Sequence, residues 1–447
     1  MGGHGTHTLS TAGGSVVSAP EAISITQLGL QNSTVKGGAP KARVVSYKVL
    51  WPEAIPKFSN MGEGNFMDCL AAIEAAIIDG VDIINLSLGF LIQDSMKGGD
   101  FYFHDAFSIA SFHAMANGIL VVAGSGNDGP APGTVNHVAP WMLTVGASTI
   151  GREFACDILL GNQQKIRPDV IAPGVSIMAA YTEAKTVPLP DKFLPLSGTS
   201  MSTPHIVGIA ALLIKIHPHW STSAIKSAIM TTASSVDSNG KPFLVDDMVH
   251  EATPFDYGTG LVQPNLAMDP GLVYDMNHYD HLAFLCAHHY NTTMLKVFTK
   301  KHNYKCPESF NLLDFNYPSI TIPEFSGAAT ATRKLKNVGD PGAYTARIEA
   351  PHGISVVVEP NTLVFSEKGQ EKMFKLIFSG DAHHLPTNYT FGSLVWSDGK
   401  HIVRSPIVLK GKACVEKTPS NGHHQSGNNV KRLTQNNDQG ESDISHN

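Results

Sequence analysis

Short apolar segments typical of strands alternate with helix-like segments through the first half of the chain. Residues 42–50, 81–88 and 119–123 have the length and apolar composition of buried strands. Residues 66–79 and 103–116 lie between them and have the apolar periodicity of helices. Because parallel strands need a crossover that is usually a helix, this order predicts an α/β fold with a parallel sheet flanked by helices. Functional sites in such sheets form at the carboxyl ends of the strands.

The composition is that of a large protein without a strongly basic or acidic character. The 447 residues include 32 Lys and Arg against 38 Asp and Glu, and 42% are hydrophobic, which suggests two or three domains. A formal net charge of -6 argues against a nucleic-acid partner, since such proteins favour a basic face. No run of 18 or more apolar residues is present, so no membrane span is expected. The amino terminus has no basic segment followed by an apolar one, so no secretory signal peptide is expected in this chain.

The sequence SGTSMSTPH at residues 197–205 places Ser200 between a glycine turn and the apolar run 206–216. That run is apolar nearly all round, which predicts a buried helix. Ser200 would then lie where unpaired backbone N–H groups stabilise a developing oxyanion, so it is a candidate nucleophile. Pro204 is expected in the first turn of this helix, where no N–H is needed. A lone serine before a helix is most often only its N-cap, so the assignment depends on the other motifs.

Two histidines, His4 and His7, are three residues apart in the glycine-rich sequence GHGTHT at residues 3–8. The His4 ring can accept a proton from Ser200 and deliver it to a leaving amine. The alternative is that the two histidines bind a metal ion. Such a site needs a third ligand from elsewhere, and no Glu lies between the two histidines as it does in zinc-protease helices. We therefore expect neither a metal ion nor another cofactor.

Residues 121–130, VVAGSGNDGP, are an apolar run that ends in glycines and Asn127. This pattern predicts a buried parallel strand whose carboxyl end opens into a loop, which is where α/β sites form. There the side-chain amide of Asn127 can donate a hydrogen bond to an oxyanion. Asn-Asp-Gly-Pro is also ordinary turn sequence, and that alternative stays open for this motif taken alone.

Taken together, these motifs resemble those of the subtilisin-like serine proteases, and of their plant branch in particular. The resemblance continues through INLSLG at residues 84–89 and RPDVIAPG at residues 167–174, and it extends to about residue 412. It implies a serine endopeptidase that hydrolyses peptide or protein substrates through an acyl-enzyme and needs no cofactor.

The same resemblance assigns roles to individual residues. It implies that His4 is the general base, Ser200 the nucleophile and Asn127 the oxyanion donor. It also implies two substrate-binding segments, in which glycines let a peptide approach the backbone closely. These segments are formed by Ser87, Leu88, Gly89, Gly124, Ser125 and Gly126.

The chain departs from the family pattern in two places. The family order of the triad is Asp, His, Ser, but only Met1, Gly2 and Gly3 precede His4, and no later Asp matches the family's motif. The protease-associated domain that plant members usually carry is missing near residues 160–165. Because the triad aspartate orients and stabilises the imidazole, we expect this chain to be proteolytically inactive or nearly so. The alternative function is a catalytically inactive remnant that at most binds peptide or protein.

The sequence predicts four regions. Residues 1–269 form an incomplete subtilisin-like peptidase domain, and residues 270–309, where His, Tyr and Asn are common, form a mostly helical connector. Residues 310–412 contain short alternating runs between turn residues, which predict a β-sandwich, and the resemblance implies a fibronectin type III-like domain. Residues 413–447 are polar and poor in apolar residues, so they are expected to be disordered.

Five cysteines are present, an odd number, and their spacing does not resemble a zinc site. The resemblance implies a disulfide between Cys286 and Cys306, and two independent buried thiols are the alternative. Cys69 lies on an apolar helix face and is expected in the core. Plant subtilases are secreted, so the resemblance implies an extracellular location, in the cell wall or apoplast.

Overall fold

The computed structural model describes most of the chain. The described residues are 3–18, 34–51, 63–64, 66–89, 100–129, 134–149, 168–182, 192–245, 248–299 and 304–412. The predicted disordered tail at residues 413–447 and the predicted deletion near residues 160–165 lie outside them.

The helices and strands of the described residues are numbered here in chain order. The helices are α1 His4–Gly13, α2 Phe66–Asp79, α3 Phe101–His104, α4 Ala106–Ala116, α5 Thr199–Ile216, α6 Thr222–Thr231, α7 Pro254–Tyr257, α8 Pro264–Ala267, α9 His278–Ala287 and α10 Thr292–Phe298. The strands are β1 Val17–Ser18, β2 Thr34–Val35, β3 Leu50–Trp51, β4 Glu63–Gly64, β5 Ile83–Leu86, β6 Leu120–Gly124, β7 Leu143–Ser148, β8 Val170–Pro173, β9 Ile177–Ala180, β10 Phe193–Leu196, β11 Leu272–Val273, β12 Ile320–Phe325, β13 Ala328–Asn337, β14 Gly342–Glu349, β15 Ser355–Glu359, β16 Thr362–Phe365, β17 Glu371–Ser379, β18 Thr390–Ser397 and β19 Ile402–Gly411.

Among the described residues, a parallel sheet of four strands in the order β5-β6-β7-β8 forms the centre of the peptidase region. Val122 and Leu143 belong to the buried cluster that the sheet shares with α5 and α6. Val121 and Ala123 belong to the cluster on the other face, which includes side chains of α2 and α4. Helices therefore cover both faces of a parallel sheet, and the predicted α/β fold is confirmed.

One predicted strand is wrong. In residues 42–50 only the last residue is in a strand, β3, and Val44 and Val45 are 46% and 58% exposed. Within the described residues β5 pairs with β6 alone, so the sheet supplies no partner strand to this segment. β-Branched residues favour a strand only where cross-strand neighbours and burial are available, and here they have neither.

One predicted helix is divided in two. The segment at residues 103–116 breaks at Asp105, whose backbone is extended and whose side chain begins α4. Its carboxylate accepts hydrogen bonds from the N–H groups of Phe107 and Ser108, both at 3.1 Å. An N-cap of this kind starts a new helix because it satisfies donors that have no partner inside the helix.

Helix α5 packs against the sheet in the core. Its 18 residues are apolar enough to cross a membrane by length and composition alone. In the structure Ile206, Ala210 and Leu213 are at most 1% exposed and belong to the cluster that contains the sheet strands. Its apolar character is thus accounted for by core packing, as expected for a helix that is apolar nearly all round.

A β-sandwich follows α10, as predicted. One sheet has the order β11-β13-β17-β15 and the other the order β12-β19-β18-β14-β16. Their inner faces meet in a core that includes Phe374, Tyr344 and Trp396, each at most 1% exposed. Strand β11 lies at the start of the connector, before its helices, and pairs with β13, so the connector contributes a strand to a sheet of the sandwich.

The connector contains α9, α10 and a disulfide. Cys286, near the end of α9, is bonded to Cys306. Leu282, Leu285 and Phe298 of the two helices are buried in the cluster that covers one face of the peptidase sheet. Cys69 is buried in the same cluster. The connector is therefore part of the core of the peptidase region rather than an exposed link.

A buried ion pair joins the peptidase sheet to the start of the sandwich. The ammonium group of Lys226 lies 2.9 Å from Asp169 and also donates hydrogen bonds to the carbonyl groups of Pro140 and Met142. The Tyr317 hydroxyl donates to the same carboxylate. Burial lowers the pKa of Lys226, and the charge of Asp169 acts in the opposite direction. The ion pair and the three hydrogen bonds therefore compensate the desolvation of the Lys226 and Asp169 charges and of the Tyr317 hydroxyl.

We expect Lys226→Ala to destabilise the protein strongly, because it leaves the Asp169 carboxylate buried without its cation. The free energy of unfolding, measured by urea denaturation, should fall by about 3–5 kcal/mol. Lys334→Ala is the matched control, since Lys334 forms an ion pair with Glu371 in which both side chains are 41% exposed. Loss of that pair should cost less than about 1 kcal/mol. Equal losses in the two variants would contradict the assigned role of the buried pair.

Candidate active site

Ser200 is the second residue of α5, as the sequence predicts. Gly198 precedes the helix with φ 141°, a conformation open to glycine, and a side chain there would meet the Asn127 carboxamide at 3.2 Å. The N–H groups of Met201 and Ser202 bond to the carbonyl of Gly198. Within the described residues the N–H of Ser200 has no acceptor, so it is free to bind an external oxygen atom.

Asn127 lies at the same helix start. Its side-chain oxygen accepts hydrogen bonds from the N–H of Thr199 at 2.9 Å and from the Thr199 hydroxyl at 3.1 Å. Because the oxygen is the atom that must face an N–H donor, the amide nitrogen is left as a donor beside Gly198. The structure therefore brings the Asn127 side chain and the Ser200 N–H to one end of α5.

Ser87 contacts Ser200 through two reciprocal hydrogen bonds. The Ser200 hydroxyl donates to the carbonyl of Ser87 at 3.2 Å, and the Ser87 hydroxyl donates to the carbonyl of Ser200 at 3.0 Å. Ser87 follows β5, so these bonds join the end of the strand to the start of the helix. Leu88 is half-buried and Gly89 is exposed beside them.

The second segment predicted to bind substrate lies at the end of β6. Gly124 faces the first turns of α5, where a Cβ atom would lie 3.2 Å from the hydroxyl oxygens of Thr199 and Thr203. Ser125 is buried, and Gly126 has φ 90°. The ends of β5 and β6 are adjacent in the parallel sheet, so the two segments predicted to bind substrate are neighbours.

Two residues that the sequence analysis did not identify support both segments. Asn136 donates its N–H to the carbonyl of Ser125 at 2.9 Å, and its amide would collide with any side chain at residue 126. The His137 ring lies 2.8 Å from the carbonyl of Leu88 through Nε2. Burial lowers the pKa of His137, so the neutral ring donates this bond. His137 has φ 57°, and no sequence signal reports such a conformation in a histidine.

His4 and His7 occupy different environments in α1. His4 is the first residue of the helix and is half-buried, and its pKa is lowered by burial and by the neighbouring His7. The His7 ring is fully buried and lies with Nε2 at 2.9 Å from the carbonyl of Ile177 and 3.0 Å from that of Leu194. Nε2 therefore carries the proton, and Nδ1 has no partner among the described residues. His7 fixes α1 to the β9–β10 pair.

Helix α5 lies close to Gly38 and to the end of α1 at Gly208. A Cβ atom at Gly208 would lie 2.8 Å from the Cα atom of Gly38 and 3.1 Å from the carbonyl oxygen of Ala12. Only the absence of a side chain lets the end of α1 and the segment after it approach α5 this closely. The contact sets the position of α1, and with it that of His4.

The structure does not join His4 to Ser200 by a hydrogen bond. In the described part of the chain the Ser200 hydroxyl is bound to Ser87, and no carboxylate forms an ion pair or hydrogen bond with His4. The described residues also contain no group of three or more His, Cys, Asp or Glu arranged to hold a metal ion. The geometry supplies a serine at a helix start, an amide and a free N–H for an oxyanion, and a neutral imidazole without an acidic partner.

The chain is similar to known proteins over most of its length. Residues 1–260 match the Subtilase family, and residues 314–409 match a fibronectin type-III domain. The chain is 35% identical to "Subtilisin-like protease SBT5.4" of Arabidopsis thaliana, over 91% of this chain and 70% of that protein. It is 35% identical to "Subtilisin-like protease SBT5.3" of the same plant, over 92% and 72%. It is 33% identical to "Subtilisin-like protease Glyma18g48580" of Glycine max, over 91% and 72%.

These relatives contain residues that the chain lacks. The match to the first of them extends over 566 residues, more than the 447 of this chain. The identities and coverage nevertheless include both regions of the fold, the parallel sheet and the sandwich. The chain belongs to the subtilase family and is related to the plant subtilisin-like proteases.

Proposed function

We propose that this chain is a serine endopeptidase that cleaves peptide bonds through an acyl-enzyme at Ser200. Membership of a protease family supports peptide or protein substrates. The observation that carries the proposal is the start of α5, where the Asn127 amide lies beside Gly198 and the Ser200 N–H has no acceptor among the described residues. Preorganised donors of this kind stabilise the charge that develops on a carbonyl oxygen under attack.

In the proposed reaction the Ser200 oxygen bonds to the carbonyl carbon of the substrate while its proton passes to His4. The oxyanion accepts hydrogen bonds from the Asn127 amide and the Ser200 N–H. The C–N bond then breaks, and the leaving amine takes the proton from His4. Water attacks the ester with His4 again as the base, which releases the acid and restores Ser200. The Ser200 hydroxyl has to leave the Ser87 carbonyl before the first step.

We propose that the peptide lies between the two glycine-containing segments that Asn136 and His137 support from behind. The residue before the cleaved bond would contact Ser87, Leu88 and Gly89 on one side. On the other side it would contact the segment at residues 124–126. The position of both segments at the adjacent carboxyl ends of β5 and β6 supports this, because sites in parallel sheets form there. We also propose an extracellular location, since plant subtilases are typically secreted.

The proposed turnover is low, because His4 lacks a carboxylate among the described residues. In subtilisin, removal of the triad aspartate reduces turnover by about ten-thousandfold or more. The imidazole without this partner is neither held in one orientation nor stabilised as a cation. The bond between the Ser200 hydroxyl and Ser87 favours a second candidate function, in which the groove binds peptide without cleaving it.

We expect a serine-directed phosphonate to modify Ser200 slowly, about ten-thousandfold below the rate of an intact triad. Intact-mass measurement of the purified chain should show one adduct, which Ser200→Ala abolishes. Ser197→Ala is the matched control and should keep the adduct, since the Ser197 hydroxyl accepts a bond from the N–H of Ser176 and is not seen to contact Ser200 among the described residues. No adduct at long incubation would favour peptide binding without cleavage, and labelling at the full triad rate would contradict the role given to the missing carboxylate.

The labelling rate should rise with pH and level off, because only the neutral imidazole of His4 accepts the Ser200 proton. The pKa of His4 is lowered by burial and by His7, so the midpoint should lie below about 6.5, the ordinary histidine value. The measurement is the labelling rate as a function of pH. His4→Ala should remove the midpoint, whereas His384→Ala, an exposed sandwich residue, should not move it. A midpoint above the ordinary value would contradict His4 as the base.

Asn127→Ala should reduce the labelling rate further, because it removes one of the two oxyanion donors. Loss of a single donor of this kind costs about 10²–10³ in rate. Asp128→Ala is the matched control in the same exposed turn and should have little effect. Rates are compared at one pH by intact mass. A similar loss in both variants would mean that the turn, and not the amide, is responsible.

A further inference from the structure

Pro204 leaves one backbone carbonyl of α5 without its helical hydrogen-bond donor. The sequence predicts Pro204 in the first turn, but the helix starts at Thr199, so Pro204 is its sixth residue and that prediction is wrong. At this position an ordinary residue would donate its N–H to the carbonyl four residues earlier, which is that of Ser200. Proline has no N–H, so the nucleophile's own carbonyl loses its helical donor.

The Ser87 hydroxyl supplies a donor to that carbonyl. Its oxygen lies 3.0 Å from the Ser200 carbonyl oxygen and 3.0 Å from the Asn85 amide nitrogen. A serine hydroxyl has one proton. The arrangement that satisfies every group is therefore one in which Ser87 accepts from Asn85 and donates to Ser200. The alternative contact, from Ser87 to the Asn85 oxygen, is longer at 3.3 Å and would leave the carbonyl of Ser200 without this donor.

We propose that Ser87 is a positioning residue for the nucleophile, whose hydroxyl replaces the helical donor that Pro204 lacks and holds Ser200 against the end of β5. Asn85, in β5, orients the Ser87 hydroxyl. Without this bond the part-buried carbonyl of Ser200 has no donor in place of the missing N–H. The first turn of α5 then shifts until this carbonyl finds another donor. A displacement of the Ser200 oxygen of this kind reduces reactivity even when every catalytic group is present.

As a consequence, Ser87 belongs to the segment proposed to contact the peptide and also holds the proposed nucleophile in position. Ser87 gives its carbonyl to the Ser200 hydroxyl and its hydroxyl to the Ser200 carbonyl. A peptide that displaces the first bond leaves the second in place, so Ser200 is released as a nucleophile while its backbone stays fixed. This catalytic consequence rests on the proposed function, whereas the hydrogen bond itself does not.

The test is a double-mutant cycle between Ser87→Ala and Pro204→Ala in the full chain. Ser87→Ala alone should lower the rate of phosphonate labelling by about tenfold, the size expected for one hydrogen bond. In the Pro204→Ala background a new N–H at residue 204 can bond to the Ser200 carbonyl, so Ser87→Ala should lose most of its effect. The loss should be in the rate constant of modification and not in the affinity for the phosphonate.

Unfolding by urea gives a second readout that does not depend on reactivity. Ser87→Ala should lower the urea midpoint when residue 204 is proline and leave it nearly unchanged when residue 204 is alanine. The matched control is Ser125→Ala, in the opposite segment, for which no bond to Ser200 is seen among the described residues and no coupling to residue 204 is expected. If no variant is labelled, the proposed function fails while the urea cycle still decides this inference. Equal effects of Ser87→Ala in both backgrounds would overturn it.

Discussion

The packing of α5 against the parallel sheet is the interaction on which the rest of the site depends. Ile206, Ala210 and Leu213 bury one side of the helix against the strands. Because these contacts fix the helix along its length, its start must lie where the strands end. The carboxyl ends of β5 and β6 then supply Ser87 and Asn127 to the residues around Ser200. The functional groups are thus positioned by a hydrophobic contact in which they take no part.

The sequence predicted the elements whose periodicity is strong. Three apolar runs each indicate one type of element, and the structure contains that element. They are the run after Ser200, which forms α5, and the runs that end at residues 88 and 123, which contain β5 and β6. The segment at residues 42–50 has an equally strong pattern but differs, because a strand also needs a partner that local sequence does not report. Asp105 divides a predicted helix, because its side chain accepts hydrogen bonds from the N–H groups that follow it and so starts a new helix there.

The sequence indicated the residue types of the site but not the hydrogen bonds between them or the residues that support them. Motif spacing could indicate Ser200, His4 and Asn127, but not that the Ser200 hydroxyl binds a carbonyl instead of an imidazole. Asn136 and His137 contact the two segments through tertiary packing, and His137 has a positive φ angle that its residue type does not indicate. Hydrogen bonds between residues more than one hundred positions apart follow from tertiary packing, and no local pattern records them.

The close approach of Gly208 in α5 to Gly38 and to the end of α1 makes the geometry of the site sensitive to a distant residue. Gly208 lies more than two helical turns from Ser200, and Ala12, whose carbonyl oxygen would lie 3.1 Å from a Cβ atom at Gly208, is about 12 Å along α1 from His4. A single methyl group added at this close approach would tilt one helix against the other. The displacement would be larger at their amino-terminal ends, where His4 and Ser200 lie. A substitution in the packed interior can therefore move His4 relative to Ser200 while both residues stay unchanged.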